Sequence, residues 1–200
     1  MGYAHYWRRS PDLTPAHFAK AMEDIQAILA AVAERHVQIA GPTGYGKPEL
    51  SETIIAFNGA RDCGHRYRDL GSPWPSPTSA GVEATTKPVV GPWFSGALLE
   101  TRVCGGNCSA APFFVDRKFQ TREWDQLEHG RYFQHCITDF KPYDLAVTAS
   151  LIRLKERLGD DFVVTSDGRE KGFEDAKLLC RELFGWNQRF ALEPEESEVV

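Results

Sequence analysis

The side chains of this chain that could do chemistry concentrate in the stretch Gln134–Gly168. Thr138, Asp139, Lys141, Tyr143 and Asp144 stand ahead of an amphipathic run, and Ser166, Asp167 and Gly168 follow a short apolar one. If those runs are a helix and a strand, the polar residues meet at strand–loop junctions, where loops on a rigid base commonly carry sites. Lys141 beside a helix N-terminus could hold an anion. Asp144 or Asp167, with a histidine, could move protons or hold a divalent ion. Two other segments offer partners. His5 sits in the aromatic segment YAHYWR, either packed in a sheet or aimed into a pocket. Asn58-Gly59 is a turn signal that would bring Asn58, Arg61, Asp62, Cys63, His65 and Arg66 out at one end of a strand.

Cysteine chemistry has a candidate as well. Cys63-Gly-His65 and Cys104-Gly-Gly-Asn-Cys108 together contain ligands for a tetrahedral zinc: Cys63, His65, Cys104 and Cys108. Strong zinc signatures prefer cysteines separated by two residues, so free thiols or a labile disulfide compete with that reading. A count of 5 cysteines suits a reducing compartment better than a complete disulfide framework. Gly41 to Lys47 matches the phosphate-loop spacing, but Pro48 replaces the hydroxyl residue that would hold magnesium, and the β-branched TIIAF follows where a helix is needed. A glycine-rich connection between two short strands, Val37–Ala40 and Thr53–Phe57, explains the same residues. The chain contains no G-x-S-x-G and no H-E-x-x-H.

The elements that must position these residues follow from periodicity. YAHYWR reads as a first strand, with Tyr3, His5 and Trp7 on one face and Ala4, Tyr6 and Arg8 on the other. Thr14 and Pro15 form a helix start, with a capping hydroxyl and a proline at the first position. Phe18, Met22, Ile25, Leu29 and Val32 then make one helical face as far as about His36. Residues 71–111 are rich in proline and glycine and read as a long inserted loop. PFFVDRKF predicts a strand, TREWDQLEH a short amphipathic turn or helix, and RYFQHC a strand. Pro142 and Asp144 open a second helix, whose stripe is Val147, Leu151, Leu154 and Leu158; Gly159 ends it before the strand Phe162–Thr165. A last helix runs from about Gly172 to Phe184. This order predicts an α+β two-layer sandwich, a mostly antiparallel sheet with helices on one face, built on a ferredoxin-like βαββαβ core with the long loop inserted. The expected organisation is one domain over 1–190 and a flexible acidic tail over 191–200.

Composition bounds the partners. At 200 residues, with 42% hydrophobic content, the chain can bury one sizeable core. Its net charge of -5 comes largely from Glu193, Glu195, Glu196 and Glu198, and Lys and Arg (23) are outnumbered by Asp and Glu (28). Nucleic acid is therefore disfavoured as a partner unless a local patch supplies what the whole lacks. No apolar run approaches the ~18 residues that span a bilayer, and MGYAHYWRR lacks a signal-peptide core, so a cytoplasmic protein without membrane attachment is expected.

The opening GYAHYW, the segment from IAGPTGYGKPE to IAFNG, the helix start KPYDLAV and the strand end VVTSDG resemble a family of small, functionally uncharacterised bacteriophage and prophage proteins. The resemblance covers residues 1–68 and 132–190, and the intervening segment with CGGNC looks like an expansion. Members carry Lys and Arg where this chain has Ile137 and Phe140, which implies a weaker anion site here. The expected function is binding of a small anionic, nucleotide-like ligand at the strand ends by His5, Asn58, Asp62, His65, Lys141, Tyr143, Asp144, Ser166 and Asp167. The alternatives are a metal-assisted hydrolase or transferase and a module that docks on a host protein.

Overall fold

The computed structural model describes residues 3–35, 37–63, 102, 106–185 and 190–193. Its N-terminal aromatic segment forms β1 (Ala4–Arg9). His5, Trp7 and Arg9 are buried, whereas Tyr6 and Arg8 are half-buried, so the period of two is realised along the strand. β1 lies between two antiparallel neighbours, β7 (Arg131–Ile137) and β8 (Phe162–Ser166), and β6 (Leu127–Glu128) closes the far side, giving the order β6-β7-β1-β8. TREWDQLEH therefore contributes a turn and an edge strand, not a helix. Its Leu127 and Glu128 pair with Tyr132 and Arg131 through a tight connection at Gly130, where φ is +78°.

The helices α1 (Pro15–Glu34) and α2 (Asp144–Leu158) follow β1 and β7 in the chain. Phe18, Ile25, Leu29 and Val32 of the expected stripe are buried and Met22 only partly, while Ile28, outside that stripe, is fully buried as well. Thr14 behaves differently from its sequence reading. Pro15 starts the helix, but the exposed Thr14 hydroxyl makes no capping bond, and the Thr14 carbonyl accepts the Phe18 amide instead (2.9 Å). α2 packs against α1, α3 (Glu174–Phe184) and β8, so its buried surface extends from the leucine stripe to Thr148, Ser150 and Arg153. Arg153 and Arg157 both donate to Asp24 of α1, at 2.8 Å from Arg153 Nη2 and from Arg157 Nε.

β7 and β8 are each antiparallel to β1, hence parallel to one another with β1 between them. Taken in chain order, β1, α1, β6, β7, α2 and β8 reproduce the split βαβ pairs of a ferredoxin-like core. A second antiparallel sheet is inserted between α1 and β6. In it β2 (Ile39–Ala40), β3 (Glu49–Leu50) and β5 (Phe113–Asp116) all pair with β4 (Ile54–Gly59). Buried Arg9 ties the two sheets together, donating to Asp116 Oδ1 at 2.7 Å and to the Arg117 carbonyl at 2.8 Å. Burial brings its pKa down to about 10 in spite of Asp116.

The glycine-rich segment connects β2 to β3, and no helix follows it. Gly41 and Gly44 donate their amides to carbonyls of the same loop, the opposite of a phosphate cradle. Most of the 71–111 segment lies outside the described residues, as do 194–200. The first residues of the expected tail are docked: Glu193 donates its amide to Val164 O at 3.0 Å, beside β8. Among the described residues no helix is long and apolar enough to cross a membrane.

Candidate functional site

Three of the candidate residues form one hydrogen-bonded chain. His5 and Ser166 are cross-strand partners on β1 and β8, with His5 Nδ1 2.8 Å from Ser166 Oγ. On its other side His5 Nε2 lies 2.7 Å from Asp144 Oδ1 at the start of α2. The backbone delivers Asp144 through a tight turn after β7. Asp139 and Phe140 both adopt left-handed φ, +50° and +53°, and Phe140 stacks on Tyr3 with ring centroids 3.7 Å apart. The Thr138 hydroxyl donates to the same Asp144 oxygen at 2.7 Å.

Two residues extend the chain beyond what the sequence indicated. Arg102 Nε donates to Asp144 Oδ2 at 3.2 Å, and Arg102 Nη1 pairs with Asp175 Oδ2 in the first turn of α3. Arg102 Nη2 is also 3.2 Å from Asp144 Oδ2, but its N–H is not directed there, so Nε carries the bond. Arg102 comes from a segment without periodicity, which left no sequence signal. Asp175 reads in sequence as an ordinary acidic residue complementing a helix dipole.

The electrostatics are those of a closed cluster. For Asp144, burial by itself raises the carboxyl, but the facing His5 ring and the Arg102 guanidinium, with the Thr138 hydroxyl, hold it below the ordinary carboxylate value. For Asp175 burial wins over Arg102 and raises the carboxyl, and its Oδ1 has no hydrogen-bond partner among the described residues. With Asp144 ionised, His5 donates through Nε2. In the tautomer that leaves Nδ1 without a proton, the ring accepts the Ser166 hydroxyl there, while Ser166 Oγ accepts the Gly168 amide (3.1 Å). This is the donor order of a nucleophile relay, yet His5 and Asp144 are 0% and 1% exposed and Ser166 6%. Tyr3 and Phe173 close edge-on over the His5 ring.

The other candidates lie apart from this chain. Buried Asn58 accepts the Gly59 and Ala110 amides and donates to the Pro42 and Ala110 carbonyls, fastening β4 to its neighbouring loops. Tyr143 is buried behind the network and donates to Ala111 O at 2.6 Å, and burial raises its phenol. Lys141 is bound to Asn107 O at 2.9 Å at the surface, and Asp62 is exposed in the turn after β4. Cys63 and Cys108 pack together in a small buried cluster with Ala60. His65 and Cys104 lie outside the described residues, and among the described residues no group of three potential metal ligands converges. Asp167 turns to the opposite side of the sheet, where Tyr6 Oη donates to its Oδ1 at 3.2 Å and the Ala4 amide to its Oδ2 at 2.9 Å.

That opposite side displays residues the site reading passed over. Tyr6 on β1 faces His135 on β7, and Arg8 faces Phe133. Tyr6, Phe133 and His135 form a group of rings with centroids 5.9 to 6.4 Å apart, and the Arg8 guanidinium lies 5.8 Å from the Phe133 centroid. Phe133 is 47% exposed and Trp124, beyond β6, 72%. A cavity of about 390 Å³, lined by Arg8, Trp124, Asp125, Gln126, Glu128 and Phe133, continues the platform at the β6 edge. Comparisons with protein-family models, characterised proteins and solved structures returned no match to this chain.

Proposed function

We propose that this protein binds planar, anionic, nucleotide-like ligands on the open face of its larger sheet. The observation that carries the proposal is the cluster of exposed Phe133 and His135 with half-buried Tyr6 on the two central strands, with Arg8 beside it. Large apolar groups left in water on a sheet face are informative because folding alone would bury them. Rings supply stacking surface, and Arg8 supplies a cation for a phosphate. The neighbouring cavity lies in the range of small-ligand sites. The phage setting that the sequence resemblance implies belongs to the same proposal.

The His5–Asp144–Ser166 chain fits a structural role better than hydrolysis. Its hydroxyl is buried, and the adjacent Gly168 amide, a candidate oxyanion donor, is already bound to Ser166 Oγ. What the chain does is fasten the start of α2 to two strands.

A thermal-shift titration with a nucleotide panel tests the reading, because a ligand that binds the folded state raises its stability by about 2.7 kcal/mol at a hundred times Kd. The expected result is a saturable rise with at least one nucleotide that disappears in Phe133→Ala, whose own melting temperature stays near that of the wild type. No rise with any nucleotide, or a rise that survives Phe133→Ala unchanged, contradicts the proposal.

A further inference from the structure

We infer that the occupant of the open sheet face is single-stranded RNA, with successive bases stacked on the ring platform. This rests on the nucleotide-binding reading above and extends it from a single nucleotide to a polymer. Four-stranded antiparallel sheets with helices on one face present their two central strands to water on the other, and rings placed there stack unpaired bases. Here β1 and β7 are those central strands, and Tyr6, Phe133 and His135 are the rings. Three rings on two strands offer more stacking surface than one base covers.

The charges on the face leave stacking as the main contribution. Arg8 and Arg131 share it with Glu128, Asp167 and the cavity-lining Asp125, and Arg8 already lies 3.7 Å from Glu128, so the face is not a basic patch. The two guanidiniums can meet at most about two phosphates, Arg8 by exchanging Glu128 for one. The carboxylates would repel further phosphates but accept hydrogen bonds from ribose 2′-hydroxyls, the group by which a protein distinguishes RNA from DNA. Asp167 already accepts one hydroxyl hydrogen bond, from Tyr6. Binding of this kind depends on stacking and responds weakly to salt.

The test is a set of direct titrations of the full chain with a labelled adenosine hexaribonucleotide, its deoxyribonucleotide counterpart and AMP. The expected outcome is a hexaribonucleotide affinity at least about tenfold above that of AMP and above that of the DNA. Tyr6→Ala or His135→Ala should each weaken RNA binding by about tenfold while the melting temperature holds, in line with the loss of one stacked base. The slope of log K against log salt should be no steeper than about -1.4, two phosphates at about 0.7 each. Equal affinity for AMP and the hexamer leaves the nucleotide reading standing and overturns the RNA inference. Failure of all three ligands overturns both. DNA binding as tight as RNA, a steep salt slope that ignores the ring variants, or a stable dimer that buries this face overturns the RNA inference alone.

Discussion

His5 and Tyr6 are adjacent in the chain and face opposite sides of the same sheet, and the two surroundings could hardly differ more. On the inner side His5, Ser166, Asp144, Thr138, Arg102 and Asp175 join in one buried polar chain. On the outer side Tyr6, Phe133 and His135 stand at the surface with Arg8 and Asp167. The inner side holds the residue types associated with catalysis, and nearly all their polar atoms are engaged by one another. The outer side holds residue types associated with cores, exposed to solvent. Chemistry-bearing residues become a site only where a ligand can reach them, and exposed rings are the better evidence of a surface in use.

The contrast breaks most readily at Asp144. Asp144→Ala leaves Arg102 and His5 buried without their shared carboxylate, so a loss of about 3–5 kcal/mol is expected in urea unfolding. A loss below about 1 kcal/mol would mean that the inner chain is not what fastens α2. Gly168→Ala should cost about 1–3 kcal/mol, since a Cβ there would come within 1.9 Å of Tyr3 Oη and the ring would have to shift. On the outer side, Trp124→Ala should leave stability within about 0.5 kcal/mol and weaken ligand binding by several-fold, because the indole is solvent-exposed, lines the cavity and otherwise meets the Arg122 guanidinium at the surface. An equal effect of Trp124→Ala on folding would erase the distinction between the faces.

The smallest effect is the pH dependence. The depressed Asp144 carboxyl contributes stability above the ordinary carboxylate value, and this is lost as pH falls through its folded value. Asp175 has the opposite sign: its raised carboxyl favours the folded state at low pH, and that contribution is lost as pH rises through its folded value. Wild-type stability below about pH 4 should therefore fall more steeply than that of Asp144→Asn, by no more than one proton's worth, about 1.4 kcal/mol per pH unit. Asp175→Asn should sharpen the wild-type acid limb, because the opposing group is gone.

Much of this architecture was legible. Alternation in YAHYWR placed His5 and Trp7 on one face, Pro142 and Asp144 marked the approach to α2, and Gly159 ended it. The α+β class followed from helices interleaved with strands joined partly by hairpins. The inner chain was legible in part, because His5, Asp144 and Ser166 stand at element ends, whereas Arg102 lies in a stretch whose composition predicts only irregularity. The outer platform was concealed by the pattern of β7. Its inward residues, Tyr132, Gln134 and Cys136, are no more apolar than its outward Phe133, His135 and Ile137, so alternation alone could not tell inside from outside. Gln134 can face inward because its Oε1 accepts the Trp7 indole N–H at 2.9 Å, a pairing fixed only once β1 and β7 are in register.

The most direct test of a closed inner face and a binding outer face is an NMR titration of the backbone amides with the tightest-binding nucleotide of the panel. The account predicts saturable shifts at Tyr6, Arg8, Phe133, His135 and Trp124, with Asp144 and Asn58 unmoved. Shifts centred on Asp144, Ser166 and Asn58, with the outer strand residues silent, would contradict it.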